Sequence, residues 1–178
     1  MARQPDTVAF REVQWLYQLW WALLPIGGVA LFAWYGFIQQ IILGQPVGDN
    51  PAPNWAMGVL WLLFGIGLPT LWFLARLVVE VREAYLYIRY APFLTREIPW
   101  EAIRGWEAQT YKPIREFGGW GIRWWFGKTA YSVSGNQGVE LELNDGQRLM
   151  IGSQKAQALA EAIYLKKQAY NKDSKESS

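Results

Sequence analysis

The chain has 178 residues, and its 17 Lys and Arg against 15 Asp and Glu leave a formal net charge of +2. So small a charge argues against a protein that binds nucleic acid by electrostatics. The chain contains no histidine and no cysteine, which argues against disulfides, Ser–His and Cys–His hydrolases, zinc enzymes and haem proteins. We expect no enzyme activity, no metal and no cofactor. An enzyme would have to use Glu, Asp, Lys or Tyr.

Two long apolar blocks dominate the first half of the chain. Residues 13–48 and 50–75 carry no charged side chain, and Asp49 alone interrupts them. Residues 20–43 and 55–79 are each about as long as the roughly 20 residues that a transmembrane helix needs. They predict a membrane α-helical hairpin with an external loop over residues 44–54. Gly58 and Gly65 lie seven residues apart and share a helix face, which predicts close packing of the hairpin there.

The arginines that flank these blocks predict an orientation. The N-terminal segment 1–19 carries Arg3 and Arg11, and its residues 10–19 are interpreted as an amphipathic helix at the membrane interface. The loop has no Lys or Arg, and four arginines follow the second block: Arg76, Arg82, Arg89 and Arg96. The positive-inside rule then places both termini in the cytoplasm and the loop outside.

Residues 80–170 read as a small all-β domain. Strands are predicted at 85–90, 94–100 and 105–111, with a short helical turn over 100–104 and a loop over 112–119. A fourth strand at 121–126 is followed by a two-residue turn at Gly127 and Lys128. This register sets Trp124 opposite Tyr131 and Ile122 opposite Val133. It leaves Arg123 and Trp125 on the other face.

The last predicted strands form a hairpin around residues 144–146. The alternating sequence VELEL and a left-handed Gly146 set Leu141 opposite Leu149, Val139 opposite Ile151 and Glu142 opposite Arg148. Ser153 is a suitable N-cap for a helix over residues 154–170. A narrow apolar stripe is predicted on this helix, formed by Ala156, Leu159, Ala160 and Ile163. Residues 171–178 are expected to form a disordered polar tail.

Seven short strands in hairpin order and a final helix predict a small barrel or sandwich capped by that helix. The segment EFGGWGIRWWFGKTAYSVSGNQGVELELNDGQRLMIGSQ, followed by KAQALAEAI, resembles small bacterial membrane proteins with two spans and a bacterial pleckstrin-homology-like (PH-like) domain. The resemblance covers Tyr85 to about Tyr170 and implies a fold more than a function. It also implies that the membrane is a bacterial inner membrane. The two-span architecture is also similar to assembly factors of photosynthetic complexes.

Two motifs receive structural interpretations. The cluster Gly118, Gly119 and Gly121 lacks the G-x-G-x-x-G spacing of nucleotide-binding loops and is interpreted as a bent entry to a strand. Glu140 and Glu142 share a strand face and could form an acid/base pair. We favour a solvated face with Arg148 as their partner.

A candidate interaction surface combines basic and aromatic residues: Lys112, Arg115, Trp120, Arg123, Trp125 and Lys128. An outward Trp125 beside Arg123 is typical of protein–protein interfaces, although Trp125 could also rest on the membrane or under the 112–119 loop. The first hypothesis is a non-enzymatic, membrane-anchored module that binds a membrane protein as an accessory or assembly factor. The second is that the basic residues bind anionic lipids.

Overall fold

The computed structural model describes residues 8–125 and 128–176. The chain divides into two compact units, of which a helical unit contains Leu16–Ala75. The β unit contains the chain up to Trp15 and again from Arg76 onwards. The β unit therefore includes an N-terminal segment and begins before residue 80, where the sequence placed its start.

The helical unit consists of two helices that are long and apolar enough to cross a membrane, as predicted. Helix α1 runs over Trp20–Ile42 and helix α2 over Asn54–Leu74. Helix α2 was expected to continue to residue 79 but ends at Leu74, and Ala75 is extended. The prediction was wrong there because an unbroken apolar run does not distinguish a span from a buried strand.

Helices α1 and α2 pack through aromatic side chains around Gly65. The Trp34 indole N–H donates to the Gly65 carbonyl at 3.2 Å. The Trp61 ring lies 5.2 Å from Trp34 and stacks on Phe37 at 4.2 Å. Gly58, the other predicted packing glycine, has open space around the position of a Cβ atom. The helices thus approach closely at Gly65 and not at Gly58.

The β unit begins with a four-stranded antiparallel sheet in sequential order. Its strands are β1 (Phe10–Trp15), β2 (Arg76–Val81), β3 (Tyr85–Ala91) and β4 (Leu94–Pro99). The predicted interfacial helix over residues 10–19 is wrong for β1, and only Leu16–Gln18 is helical, as a 3-10 turn. Pairing with β2 fixes β1 as a strand because tertiary pairing outweighs a weak local helical pattern.

The second sheet has five strands in the order β5-β8-β9-β7-β6. They are β5 (Ile103–Thr110), β6 (Gly121–Trp125), β7 (Lys128–Ser132), β8 (Gln137–Leu143) and β9 (Arg148–Gly152). Strands β7 and β9 are parallel. The predicted simple hairpin order of seven strands is therefore wrong. The β8–β9 hairpin lies between β5 and β7, a non-local arrangement that turn signals do not encode.

The registers of the two hairpins had different outcomes. The predicted β8–β9 pairs are confirmed, including Leu141 with Leu149 and Glu142 with Arg148. The predicted β6–β7 register is wrong by two residues, because Ile122 pairs with Tyr131 and Trp124 with Thr129. Residues 126–127 connect these strands, so the predicted turn at Gly127 lies outside the described residues.

In the described part of the chain, the β unit also contains two α-helices. The short helix α3, Pro113–Phe117, lies between β5 and β6, and the C-terminal helix α4, Ala156–Glu176, follows β9. Helix α3 lies where a loop was expected. The predicted apolar stripe of α4 is confirmed, since Leu159 and Ile163 are fully buried. Helix α4 continues through most of the predicted disordered tail, because residues 171–176 contain no Gly or Pro that would end it.

Candidate functional site

Helix α3 and the strand after it present the predicted interaction surface. Gly118 ends α3 in the left-handed conformation with φ 71°, and Gly119 and Gly121 also have positive φ. This glycine cluster turns the chain from α3 into the edge strand β6, as the sequence interpretation expected. Glycine adopts these angles without the steric cost that a Cβ atom brings.

Phe117 anchors α3 to the five-stranded sheet. Its ring meets Tyr111 edge-on at 5.9 Å, and both pack in a buried cluster with Ala130 and Met150. Burial raises the pKa of the Tyr111 hydroxyl above its ordinary value. Helix α3 is thus held by one buried face, while Ile114 on its other side is 71% exposed.

Four of the predicted surface residues lie on this segment. Lys112 and Arg115 are exposed at α3. The half-buried Trp120 donates its indole N–H to the Gly135 carbonyl at 2.8 Å, and Arg123 Nε donates to the Trp120 carbonyl at 3.2 Å. Trp120 and Arg123 are therefore brought together, and the Trp120 side chain is oriented by the loop between β7 and β8.

Lys128 has a different environment from the one predicted. Its ammonium group forms a 3.0 Å ion pair with Glu140, which also accepts a 2.5 Å hydrogen bond from Gln109. Burial alone would raise the pKa of Glu140. Hydrogen bonds from Lys128 and Gln109, with the charges of Lys128 and Arg148, hold that pKa below its ordinary value. Lys128 thus belongs to a row of ion pairs on the sheet.

The same row accounts for the paired carboxylates. Glu142 forms a 3.4 Å ion pair with Arg104 and lies opposite Arg148 in the β8–β9 register. A cleft of about 230 Å³ beside them is lined by Glu107, Glu140, Glu142 and Arg148, with Gly105 and Trp106. A carboxylate whose pKa is lowered is a poor proton donor near neutral pH. The arrangement fits a solvated, ion-paired face better than an acid/base pair.

The aromatic residue that β6 exposes is Trp124. Its side chain is 72% exposed, whereas the sequence placed it on the buried face with Ile122. The side chain of Trp125, the predicted contact residue, lies outside the described residues. Sequence reasoning missed Trp124 because β6 is an edge strand, and alternation alone does not show which strand of a sheet lies at the edge.

Sequence reasoning also missed a buried polar cluster at the start of α4. Glu12 is 8% exposed and accepts hydrogen bonds from the Ser153 hydroxyl at 2.5 Å and the Gln154 backbone N–H at 2.9 Å. Gln14 donates to Glu12 at 3.1 Å and to the Gly152 carbonyl at 2.8 Å. The available signal was the pair Glu12 and Gln14, two polar residues at alternate positions that share one face of a strand. The sequence analysis assigned these residues to a helix instead.

A third feature is an arginine-rich face of the four-stranded sheet. Alternation along β1, β2 and β3 separates it from the buried side chains Leu77, Val79 and Ile88. We call this set the arginine face: Arg11, Trp15, Arg76, Arg82, Tyr85, Tyr87 and Arg89. The sequence analysis used the four arginines of this face only to predict the orientation of the helices. It did not predict the face itself, because β1 and the start of β2 were assigned to helices.

Comparison with curated proteins finds no match, and comparison with solved structures finds none either. The family model of DUF6141, a family of unknown function, matches residues 1–170. The match includes the helical unit, both sheets and most of α4, and the chain therefore belongs to the DUF6141 family.

Proposed function

We propose that the protein is a non-enzymatic, membrane-anchored interaction module. The helical hairpin anchors it in a bacterial inner membrane with both termini in the cytoplasm. The β unit, which we propose to be PH-like, binds another protein of the same membrane, and the protein acts as an accessory or assembly factor for that partner. Two sheets followed by a C-terminal helix support the PH-like interpretation.

The observation that carries this proposal is the place of the hairpin in the chain. The hairpin is inserted between β1 and β2, which are paired neighbours in one sheet. Trp15 pairs with Arg76 at the end of this ladder, and Leu16 N–H donates to the Ala75 carbonyl at 3.0 Å. The chain therefore leaves and rejoins the sheet at one point without a long linker. Such an anchor suits a module that acts on the membrane that holds it.

Two further observations support the proposal. The family model matches the helices and the β unit together, as expected if both act as one functional unit. Arginines flank the hairpin on the side of the termini, whereas the connection between the helices carries none. The positive-inside rule therefore favours a cytoplasmic β unit.

Side-chain chemistry supports binding rather than catalysis. The chain lacks the two residues most used as bases and nucleophiles near neutral pH. Trp124 and Ile114 are instead exposed by more than two thirds, and Lys112, Arg115 and Arg123 are exposed on the same α3–β6 segment. Exposed Trp with Arg is the composition that carries most binding energy at protein interfaces. We place the partner contact there.

The test is recovery of a partner from native membranes solubilised in mild detergent. We compare the wild-type chain with the double variant Trp124→Ala/Ile114→Ala. We expect one membrane protein to co-purify with the wild type and recovery to fall by about tenfold or more in the double variant.

The matched control is Leu165→Ala, which removes another exposed apolar side chain from α4. We expect this variant to retain the partner. Equal recovery of the partner by all three chains would show that the α3–β6 segment is not the contact surface. If none of the three chains recovers a specific partner, the proposed function is overturned.

A further inference from the structure

The arginine face carries cations that lie over aromatic rings. The Arg76 guanidinium lies 4.8 Å from the centre of the Trp15 ring. The Arg82 guanidinium lies 4.4 Å from the Tyr87 ring and donates to the Tyr85 hydroxyl at 2.8 Å. Stacking on aromatic rings restricts a guanidinium while its N–H edges can still bind an oxygen ligand. These contacts hold the guanidinium groups of Arg76 and Arg82 in place on the face.

One buried carboxylate organises the centre of the arginine face. Glu80 accepts bonds from Arg82 Nε at 2.8 Å and Nη2 at 2.6 Å, and Arg11 Nε lies 3.2 Å from it. The hydrogen bond from Arg82 to Glu80 raises the pKa of Arg82. Glu80 thus fixes two arginines in place, and the Arg11 side chain remains 65% exposed.

The face retains an excess of positive charge. Arg11, Arg76, Arg82 and Arg89 oppose Glu80, and the only acidic neighbour that the register adds on this face among the described strands is Glu97, opposite Tyr87. Four cations against two anions leave a basic surface. An anionic ligand therefore complements it, and a neutral one gains no electrostatic advantage.

The position of this face in the chain identifies the ligand. Trp15 and Arg76 each lie one residue from the helical unit. Tryptophan is enriched at the interface of a bilayer, and juxtamembrane arginines attract anionic lipids. We propose that the arginine face binds the phosphate headgroups of anionic phospholipids in the bilayer that holds the hairpin. This inference rests on the proposed anchoring.

The proposal differs from binding at the basic α3–β6 segment. In that segment Glu116 accepts a 2.9 Å bond from the Lys112 backbone, and Arg123 is turned onto the Trp120 carbonyl. The arginine face has four guanidinium groups, against two in the α3–β6 segment, and guanidinium donors match phosphate oxygens in pairs. Lipid contact and partner contact are thereby assigned to different sheets of the β unit.

The experiment uses the full chain in bilayer nanodiscs of neutral phosphatidylcholine. The chain has no cysteine, so Thr95→Cys gives one labelling site. Thr95 is exposed and pairs with Arg89 on this face. A donor dye there reports energy transfer to trace acceptor-labelled phosphatidylglycerol or acceptor-labelled phosphatidylcholine. We expect transfer to phosphatidylglycerol to exceed transfer to phosphatidylcholine severalfold.

The arginine dependence is measured in the double variant Arg11→Gln/Arg89→Gln. Each near-surface arginine is expected to contribute about fivefold to local enrichment, so the double variant should lose the preference. The matched control Arg104→Gln/Arg148→Gln removes the same charge from the other sheet and should keep the preference.

Three outcomes overturn the proposal. Equal transfer to both lipids, or a preference that survives Arg11→Gln/Arg89→Gln, overturns lipid binding by this face while leaving the anchored module intact. A chain that fails to enter the nanodisc overturns the proposed anchoring, and this inference with it.

Discussion

Glu12 in the first strand and Ser153 before the last helix are hydrogen-bonded at 2.5 Å, although 141 residues separate them. The Ser153 Oγ also accepts from the Lys155 backbone N–H at 3.0 Å. Glu12 therefore joins the N-terminal strand to the start of α4, where free backbone N–H groups favour a negative charge. The strand that precedes the hairpin and the helix that ends the β unit are stabilised together.

We predict that Glu12→Ala destabilises the β unit by about 2–4 kcal/mol, because several buried donors lose their acceptor. Urea unfolding of the full chain in detergent, followed by circular dichroism, measures the loss. Glu97→Ala removes an exposed carboxylate from the same sheet and should change the free energy of unfolding by less than about 0.5 kcal/mol. Equal effects of the two substitutions would show that Glu12 does not join strand and helix.

Gly65 and Gly58 should respond oppositely to alanine. A Cβ atom on Gly65 would lie 2.9 Å from Trp61 Cδ1, and stacking on Phe37 limits how far Trp61 can move. Gly65→Ala should therefore cost about 1–3 kcal/mol. Gly58→Ala meets open space and should be neutral or stabilising. Thermal unfolding in detergent gives the order, and a larger loss at Gly58 would contradict it.

The Lys128–Glu140 ion pair should contribute a pH-dependent part of stability. The folded pKa of Glu140 is below its ordinary value of 4.5, so the contribution is present above pH 4.5 and disappears as pH falls through the folded pKa. Lys128→Gln should cost about 0.5–1 kcal/mol at neutral pH, since the pair is partly exposed. The difference from wild type should shrink in acid. A difference that grows on acidification would rule this out.

Phe117 and Ile114 of α3 should differ in their effect on stability, because one side chain is buried and the other is exposed. Phe117→Ala should cost about 3 kcal/mol because Phe117 is 4% exposed in a packed cluster. Ile114→Ala, on the exposed side, should leave the free energy of unfolding within about 0.5 kcal/mol of wild type. Chemical unfolding of both variants checks this. If Ile114→Ala were as destabilising as Phe117→Ala, its use as a binding probe would fail.

Local patterns predicted much of the fold. The alternation of VELEL and the conformation of Gly146 were enough for the β8–β9 register. The strands β3, β4 and β5, the apolar helices and the stripe of α4 also follow from periodicity. In each case a few neighbouring residues specify the element, because the apolar pattern marks the buried face and the turn residues fix the register.

Non-local pairings were beyond the sequence patterns. Strand β1 pairs with β2 across the whole helical unit, β5 pairs with β8, and β7 pairs in parallel with β9. No turn connects these partners directly, so no local signal specifies them. The same limit affected the candidate site. Trp124 is exposed on β6, which the strand order places at the edge of its sheet. Glu12 is buried where β1 contacts Ser153, a residue distant in the sequence.

Topology labelling in intact spheroplasts tests the anchored module most directly. Because the chain lacks cysteine, Asp49→Cys reports the connection between α1 and α2, and Thr95→Cys reports the β unit. A membrane-impermeant maleimide should label Asp49→Cys in intact spheroplasts and Thr95→Cys only after the membrane is opened. Labelling of Thr95→Cys in intact spheroplasts, or recovery of the chain in the soluble fraction, would contradict a hairpin that anchors a cytoplasmic β unit.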